Sequence, residues 1–249
     1  MISTVILFKD ETESLHRCLS SVAWCNDVVI VHDTHDTHLE LRTPRPEVRV
    51  IQRPLDGDFS AQRTFGMKHT KHEWVLFLDA DEELSQELQT ELENLNPDPQ
   101  LSAYAISRVD IFWDQKILHG EVGSAVSSGI LRLVHKHKGT WQGAVHETFS
   151  TGGTTARLNH PICHYPHQTV SEFIQDINYY SSLRAKEIAS RPQWHLFVEL
   201  LLYPPAKFFY TYFLKLGLLD GAAGFVYSFM MAFHSFLVRA KAITKTYDI

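Results

Sequence analysis

Three acids stand within four positions at Asp79, Asp81 and Glu82, directly after the apolar run "WVLFL". Carboxylates this close repel one another unless a positive charge lies among them. "DAD" at the end of a buried strand offers two hard oxygen donors on one side. Mg²⁺ and Mn²⁺ suit such donors and are held by one or two carboxylates plus substrate phosphates. A cation there would neutralise a departing diphosphate. A plainer reading is an acidic helix start, since acids are favourable at a helix N-terminus. It accounts for Glu82 and Glu83 but not for Asp79, which still belongs to the strand.

The surrounding chain supplies elements to hold these acids. "STVILF", "DVVIVHD", "VRVIQRP" and "EWVLFLDAD" read as buried strands. "ETESLHRCLSSVAW" carries Leu15, Cys18, Leu19 and Val22 on a helical stripe. "SAQRTFGMKHT" reads as a helix capped by Ser60, and Ser85 opens another over "SQELQTELENL". This order predicts an α/β fold with a mainly parallel sheet. Ligands of such sheets bind beyond the carboxyl ends of the strands, where Asp33 and the Asp79–Asp81 pair fall. After Pro97, "AYAISRV" and "GILRLVH" read as strands, and "GTWQGAVHETF" as a loop and strand. "TVSEFIQDINYYSSLRAKEIA" reads as a long amphipathic helix capped by Thr169 or Ser171. An aromatic tail follows, broken at Pro204 and Pro205.

The 249 residues suit one large domain, or one with an appendage. A net charge of −6 argues against nucleic acid as a partner. Cys18, Cys25 and Cys163 show no framework spacing and read as reduced thiols of a cytosolic protein. "MISTVILFKDE" has no basic n-region and too short an apolar run for a secretory signal. From Trp194 onward the charge balance is +2, whereas the remainder is −8. The expected division is a catalytic domain over 1–165 and a helical region over 166–249, facing a membrane or a partner.

Taken together, "ISTVILFKDETESLHRCLSSV", "DVVIVHD", "FSAQRTFGMKHTKHEWVLFLDADEEL" and "GILRLVHKHKGTWQGAVHETF" resemble the family 2 glycosyltransferases. The resemblance implies a GT-A fold, a Rossmann-like domain followed here by an amphipathic helical tail. It implies transfer of a hexose from a nucleoside-diphosphate-sugar, with a UDP-sugar favoured, to a glycan or glycolipid hydroxyl, with inversion and with Mg²⁺ or Mn²⁺. With the apolar tail, the chain looks like the bacterial subgroup that includes lipopolysaccharide core β-glucosyltransferases. By the same resemblance Asp33 and Glu11 line the nucleotide pocket and Arg63 reaches the nucleotide or diphosphate. Asp79 contacts ribose or metal, and Asp81 binds the metal. Glu147 is the base, with His146 orienting it, and Asp110, Asp114 and Glu121 compete for that role. Two departures stand out. Asp10 replaces the family's Asn, and "DTHDTH" replaces its Ser/Gly-rich loop after the second strand.

Each assignment has a structural alternative. Asp33 reads equally as a turn acid, Glu11 as a helix-start acid and Arg63 as a solvent-facing helix residue. Glu147 reads as a partner for Arg132, and Trp141 as either a sugar platform or a core residue. The shortened loop leaves open a catalytically inactive, membrane-associated scaffold. His32, His35, His38, His160, His164 and His167 raise a zinc hydrolase. However, "HDTHDTH" follows a strand, where that spacing does not converge three imidazoles. The stretch 218–238 is long enough for a membrane span. Its charges and its aromatic mixture favour peripheral attachment to the inner membrane from the cytoplasm, and packing on the catalytic domain or on a second copy is the alternative.

Overall fold

The computed structural model describes residues 1–10, 12–36, 47–143, 147–167 and 169–247. Glu11, His38 and His146 lie outside the described residues. In chain order the elements begin with β1 (Ile2–Phe8), α1 (Thr12–Ser21), β2 (Val28–His32), β3 (Val48–Gln52) and α2 (Phe59–Lys68). Next come β4 (Trp74–Asp79), β5 (Glu82–Leu84), α3 (Gln86–Glu93), β6 (Leu101–Ile106), β7 (Arg108–Phe112), β8 (Gln115–Ile117) and α4 (Gly123–Ser127). The chain continues with β9 (Ile130–His135), β10 (Thr140–Gln142), β11 (Thr148–Ser150), β12 (Thr154–Arg157) and β13 (Ile162–His164). It closes with α5 (Val170–Ile188), α6 (Gln193–Phe209), a π-helical turn (Tyr210–Leu214), a 3₁₀ turn (Gly217–Asp220) and α7 (Gly221–Thr244).

Two compact units result, Met1–Arg108 with Ser127–His164, and Val109–Val126 with Tyr165–Ile249. The sequence suggested a single division at 165. The segment 109–126 instead packs with the helices, because Phe112, Ile117 and Val122 join their core.

The first unit is an α/β domain of GT-A type. Its central sheet has the order β12-β6-β9-β4-β1-β2-β3. β1 pairs in parallel with β2 and β4, and β2 with β3, while β9 runs antiparallel between β4 and β6. β1 and β2 are buried along their whole length, as expected for parallel strands covered on both faces. Strand alternation divides the core. Ile6, Leu76, Leu78 and Leu133 pack with α1 and α3 on one face. Val5, Val75, Phe77 and Val134 pack with Met67 of α2 on the other. This period of two sets Asp79 on the α2 face, in phase with Val75 and Phe77.

Helix α2 begins one residue before the expected cap. Asp58, in extended conformation, accepts from Ala61 N at 2.9 Å, and Ser60 merely donates to it. Gly66 lets the helix sit close on the sheet, since a Cβ there would fall 2.5 Å from Val5 Cγ1. Ser85 caps α3 as expected, and Thr169 caps α5.

In the second unit α7 packs along α5 and α6. Ala185, Ile188, Leu196, Val238 and Ala242 form one cluster there. Helix α6 runs through Pro204 and Pro205, where the sequence suggested a break. Each proline deletes one i→i−4 hydrogen bond, and packing along α7 holds the helix regardless. Among the described residues one helical stretch, Gly217–Thr244, is long and apolar enough to cross a membrane by length and composition. One side of it is packed within the unit.

Candidate active site

The acid cluster does find its positive charge, and the protein supplies it. Arg132 Nη2 donates to Asp79 Oδ2 at 2.7 Å and to Glu82 Oε1 at 2.9 Å. Arg63 Nη2 donates to Asp79 Oδ1 at 2.8 Å. The same guanidinium meets Glu147 Oε1 through Nε at 2.7 Å and Nη2 at 2.6 Å. The result is an alternating chain of charges, Glu82–Arg132–Asp79–Arg63–Glu147.

Local structure explains each position. β4 and β9 pair with Leu76 opposite Leu133. Continuing that register sets Arg132 opposite Phe77, on the face that carries Asp79. Arg63 lies three residues before Gly66 on the buried face of α2 and is 1% exposed, so it is not a solvent-facing helix residue. Its guanidinium sits 5.0 Å from the ring of Trp141, which is buried and edge-on to Phe77. Trp141 is thus a core residue and a platform for Arg63. Glu82 does not start a helix. It lies on β5, fully buried, and accepts from the Asp79 backbone N–H at 3.0 Å.

These contacts separate the two carboxyls. Burial would raise the Asp79 carboxyl, but Arg132 and Arg63 outweigh it and hold it well below the usual range. Burial pushes the Glu82 carboxyl up against the pull of Arg132. The guanidinium of Arg132, though buried, is held charged by Asp79 and Glu82.

Asp81 differs from Asp79 in its partner, not in its exposure. It is half-buried, and its Oδ2 lies 3.3 Å from Nε2 of His164 on β13. The pairing of β13 with β5, His164 opposite Glu82, brings this imidazole there. Asp33 lies just past the end of β2, where its Oδ1 accepts from Leu55 N at 2.6 Å. With β1 between β2 and β4, two strand spacings of about 5 Å separate the ends bearing Asp33 and Asp79. The structure thus joins Asp79, Arg63 and Glu147 directly and sets Asp33 and Asp81 at the same sheet edge.

The histidines disperse. His32 is buried against Phe8, His35 meets Asp56, His160 meets Glu91 and His167 meets Asp176. Among the described residues no group of three or more His, Cys, Asp or Glu gathers in a form that could hold a metal by itself. The competing acids lie in the second unit. Asp110 accepts from Tyr227, Glu121 pairs with Lys207, and Asp114 sits in the turn between β7 and β8.

Residues 3–149 match the family described as Glycosyl transferase family 2. The chain belongs to glycosyltransferase family 2. A Rickettsia typhi protein called an uncharacterized glycosyltransferase is 30% identical, with 96% of this chain and 86% of that protein aligned. A Rickettsia prowazekii protein of the same description is also 30% identical over the same shares. The lipopolysaccharide core biosynthesis glycosyltransferase LpsC of Rhizobium meliloti is 25% identical, over 96% of this chain and 91% of LpsC. In this family 2 glycosyltransferase, Arg132 and Glu82 were the residues that sequence reasoning did not place in the site. The available signal was an arginine inside the apolar strand "GILRLVH", since a charge buried in a strand needs an opposite charge beside it.

Proposed function

We propose that this glycosyltransferase moves a hexose from a UDP-sugar to a hydroxyl of a cell-envelope glycan, in lipopolysaccharide core assembly, with inversion. The observation that carries this reading is the charge chain ending on Glu147, at the sheet edge where such folds bind nucleotides. Asp33 and Asp79 line the nucleotide site, and Glu11 belongs there by resemblance. Arg63 and Arg132, held by Asp79, offset most of the carboxylate charge at the edge where a diphosphate is expected.

The chemistry of the donor set fits a divalent ion. Asp81 offers a hard carboxylate and His164 a neighbouring imidazole, a pair that Mn²⁺ accepts when diphosphate oxygens complete its shell. Both Asp79 oxygens already accept from guanidiniums, so Asp81 is the principal ligand and Asp79 the lesser one. A bound Mg²⁺ or Mn²⁺ would supply Lewis-acid stabilisation of the departing diphosphate. Both Arg63 contacts of Glu147 fall on Oε1, and among the described residues Oε2 is the oxygen placed to take the acceptor proton. The enzyme works on the cytoplasmic face of the inner membrane, where a glycolipid acceptor is presented.

The test is calorimetry and thermal shift with UDP-sugars, with and without Mn²⁺, followed by product analysis on a lipopolysaccharide core acceptor. Metal-dependent donor binding with transfer supports the reading. Folded protein that binds no nucleotide-sugar would instead indicate an inactive scaffold.

A further inference from the structure

Helix α6 is the least expected object in the second unit. Among its 17 residues only Leu196 is buried, yet its sequence "QWHLFVELLLYPPAKFF" is overwhelmingly apolar. Its outward residues keep helical spacing. Trp194, Phe197, Val198, Leu201, Leu202 and Phe209 form one continuous stripe. Trp194 is 70% and Leu202 65% exposed. The stripe runs on into the π-helical turn, where Phe213 stacks on Phe209 at 5.6 Å and Leu214 is 76% exposed. A face this long and apolar on a water-soluble surface marks an interaction site.

The charges of α6 are turned away from that use. Glu199 is bound by Arg191 at 3.1 Å and by Arg239 at 3.2 Å, and Lys207 by Glu121 at 2.8 Å. The stripe itself therefore carries none. At its far end Lys215 reaches back over the ring of Tyr210, with Nζ 5.4 Å from the ring centre. A long apolar stem with its ammonium at the edge is how lysine sits between acyl chains and headgroups.

We infer that α6 and the turn after it lie in the plane of an anionic lipid surface, with the Trp194–Leu214 stripe in the acyl boundary. This rests on the reading that the enzyme works at a membrane, and it names the contact. Two observations favour lipid over a protein partner. The exposed set mixes polar-tipped aromatics, Trp194, Tyr203 and Tyr210, with Phe and Leu, the mixture carried by helices that lie at the boundary of headgroups and acyl chains. The charge of the chain is also split, +2 from Trp194 onward against −8 elsewhere, which suits an anionic surface approached by this region. The inference also moves the membrane contact away from the stretch that the sequence singled out. Helix α7 has one side engaged with α5 and α6, through Lys241 bonded to Asn178 and Ser182 among others, whereas α6 leaves its apolar stripe outward.

The experiment is flotation of the full chain with vesicles of phosphatidylcholine and phosphatidylglycerol. Wild type is compared with Phe197→Glu/Leu201→Glu and with Ile174→Glu, an exposed apolar site on α5. Helical content, melting temperature and UDP binding serve as checks of folding. The expected result is flotation of wild type and Ile174→Glu, and a partition coefficient about a hundredfold lower for the double variant. Equal flotation of the double variant overturns the α6 assignment and leaves the membrane reading standing. No flotation of folded wild type overturns both. A wild-type dimer in light scattering that the double variant splits, without vesicle binding, makes the stripe a subunit interface and overturns the inference. If the double variant does not fold, Leu202→Ser alone, with a tenfold expected loss, takes its place.

Discussion

Arg132 Nη2 lies 2.7 Å from Asp79 Oδ2, an ion pair formed across two adjacent antiparallel strands of the central sheet. It places a guanidinium where the sequence suggested that a metal would stand. Asp79 is 31% exposed on its side chain and Arg132 6%, so solvent reaches one partner only.

Arg132→Met should therefore destabilise the fold by about 2–3 kcal/mol, below the 3–5 of a fully buried pair, because water can partly resolvate Asp79. The loss depends on pH. The folded Asp79 carboxyl is depressed below its ordinary 3.8. Its contribution is complete above that value and disappears as pH falls through the folded pKa. Glu82 is raised above 4.5, so its ionisation opposes folding as pH rises, and Arg132 offsets that cost. The Glu82 effect makes the Arg132→Met penalty largest near neutrality and smaller toward pH 3, while the Asp79 part begins to fade only below its ordinary 3.8. Urea unfolding of both proteins from pH 7 to pH 3 measures it, and a pH-independent difference would contradict the pairing.

Asp81→Asn and Asp79→Asn should behave differently. Asp81→Asn removes a carboxylate that meets only His164 among the described residues, and Asn keeps an oxygen toward that imidazole, so stability should fall by about 1 kcal/mol or less. Mn²⁺-dependent UDP binding should nevertheless disappear. Asp79→Asn leaves two guanidiniums with a neutral partner and should lower stability and UDP affinity together. Calorimetry and melting curves separate the cases. Unchanged metal-dependent affinity in Asp81→Asn would remove Asp81 from the cation site.

Asp33 has a structural contact to preserve, since Oδ1 accepts from Leu55 N. Asn keeps that acceptor but presents an amide where the nucleotide base needs a carboxylate oxygen. Asp33→Asn should keep its melting temperature and bind UDP about 10- to 100-fold more weakly, with or without metal. Normal UDP binding would assign Asp33 to the loop alone.

Glu147→Gln keeps shape and a hydrogen-bond acceptor for Arg63 but cannot take a proton. Turnover should fall about 10²–10⁴-fold, and UDP affinity should barely move. A merely structural Glu147 would show the opposite pattern, with melting temperature and UDP affinity falling together while turnover per bound donor survives. Steady-state kinetics and calorimetry on one preparation decide between them.

The sequence alone determined the parallel sheet, because short β-branched runs such as "STVILF" and "DVVIVHD" alternate with helical stripes, and strands so connected are buried on both faces. It also placed Asp33, Asp79 and Asp81 at strand ends, since an acid closing an apolar run has nowhere else to sit. Tertiary structure decided who answers those charges. Arg63 and Arg132 stand 16 and 53 residues from Asp79. Only the packing of α2 through Gly66 and the register of β9 against β4 bring them within hydrogen-bonding reach. The same holds for Glu147, 84 residues from Arg63, and for the outward stripe of α6. Local pattern shows which residues are apolar or charged. Which of them find a partner depends on contacts between distant segments, and these form only when the chain closes on itself.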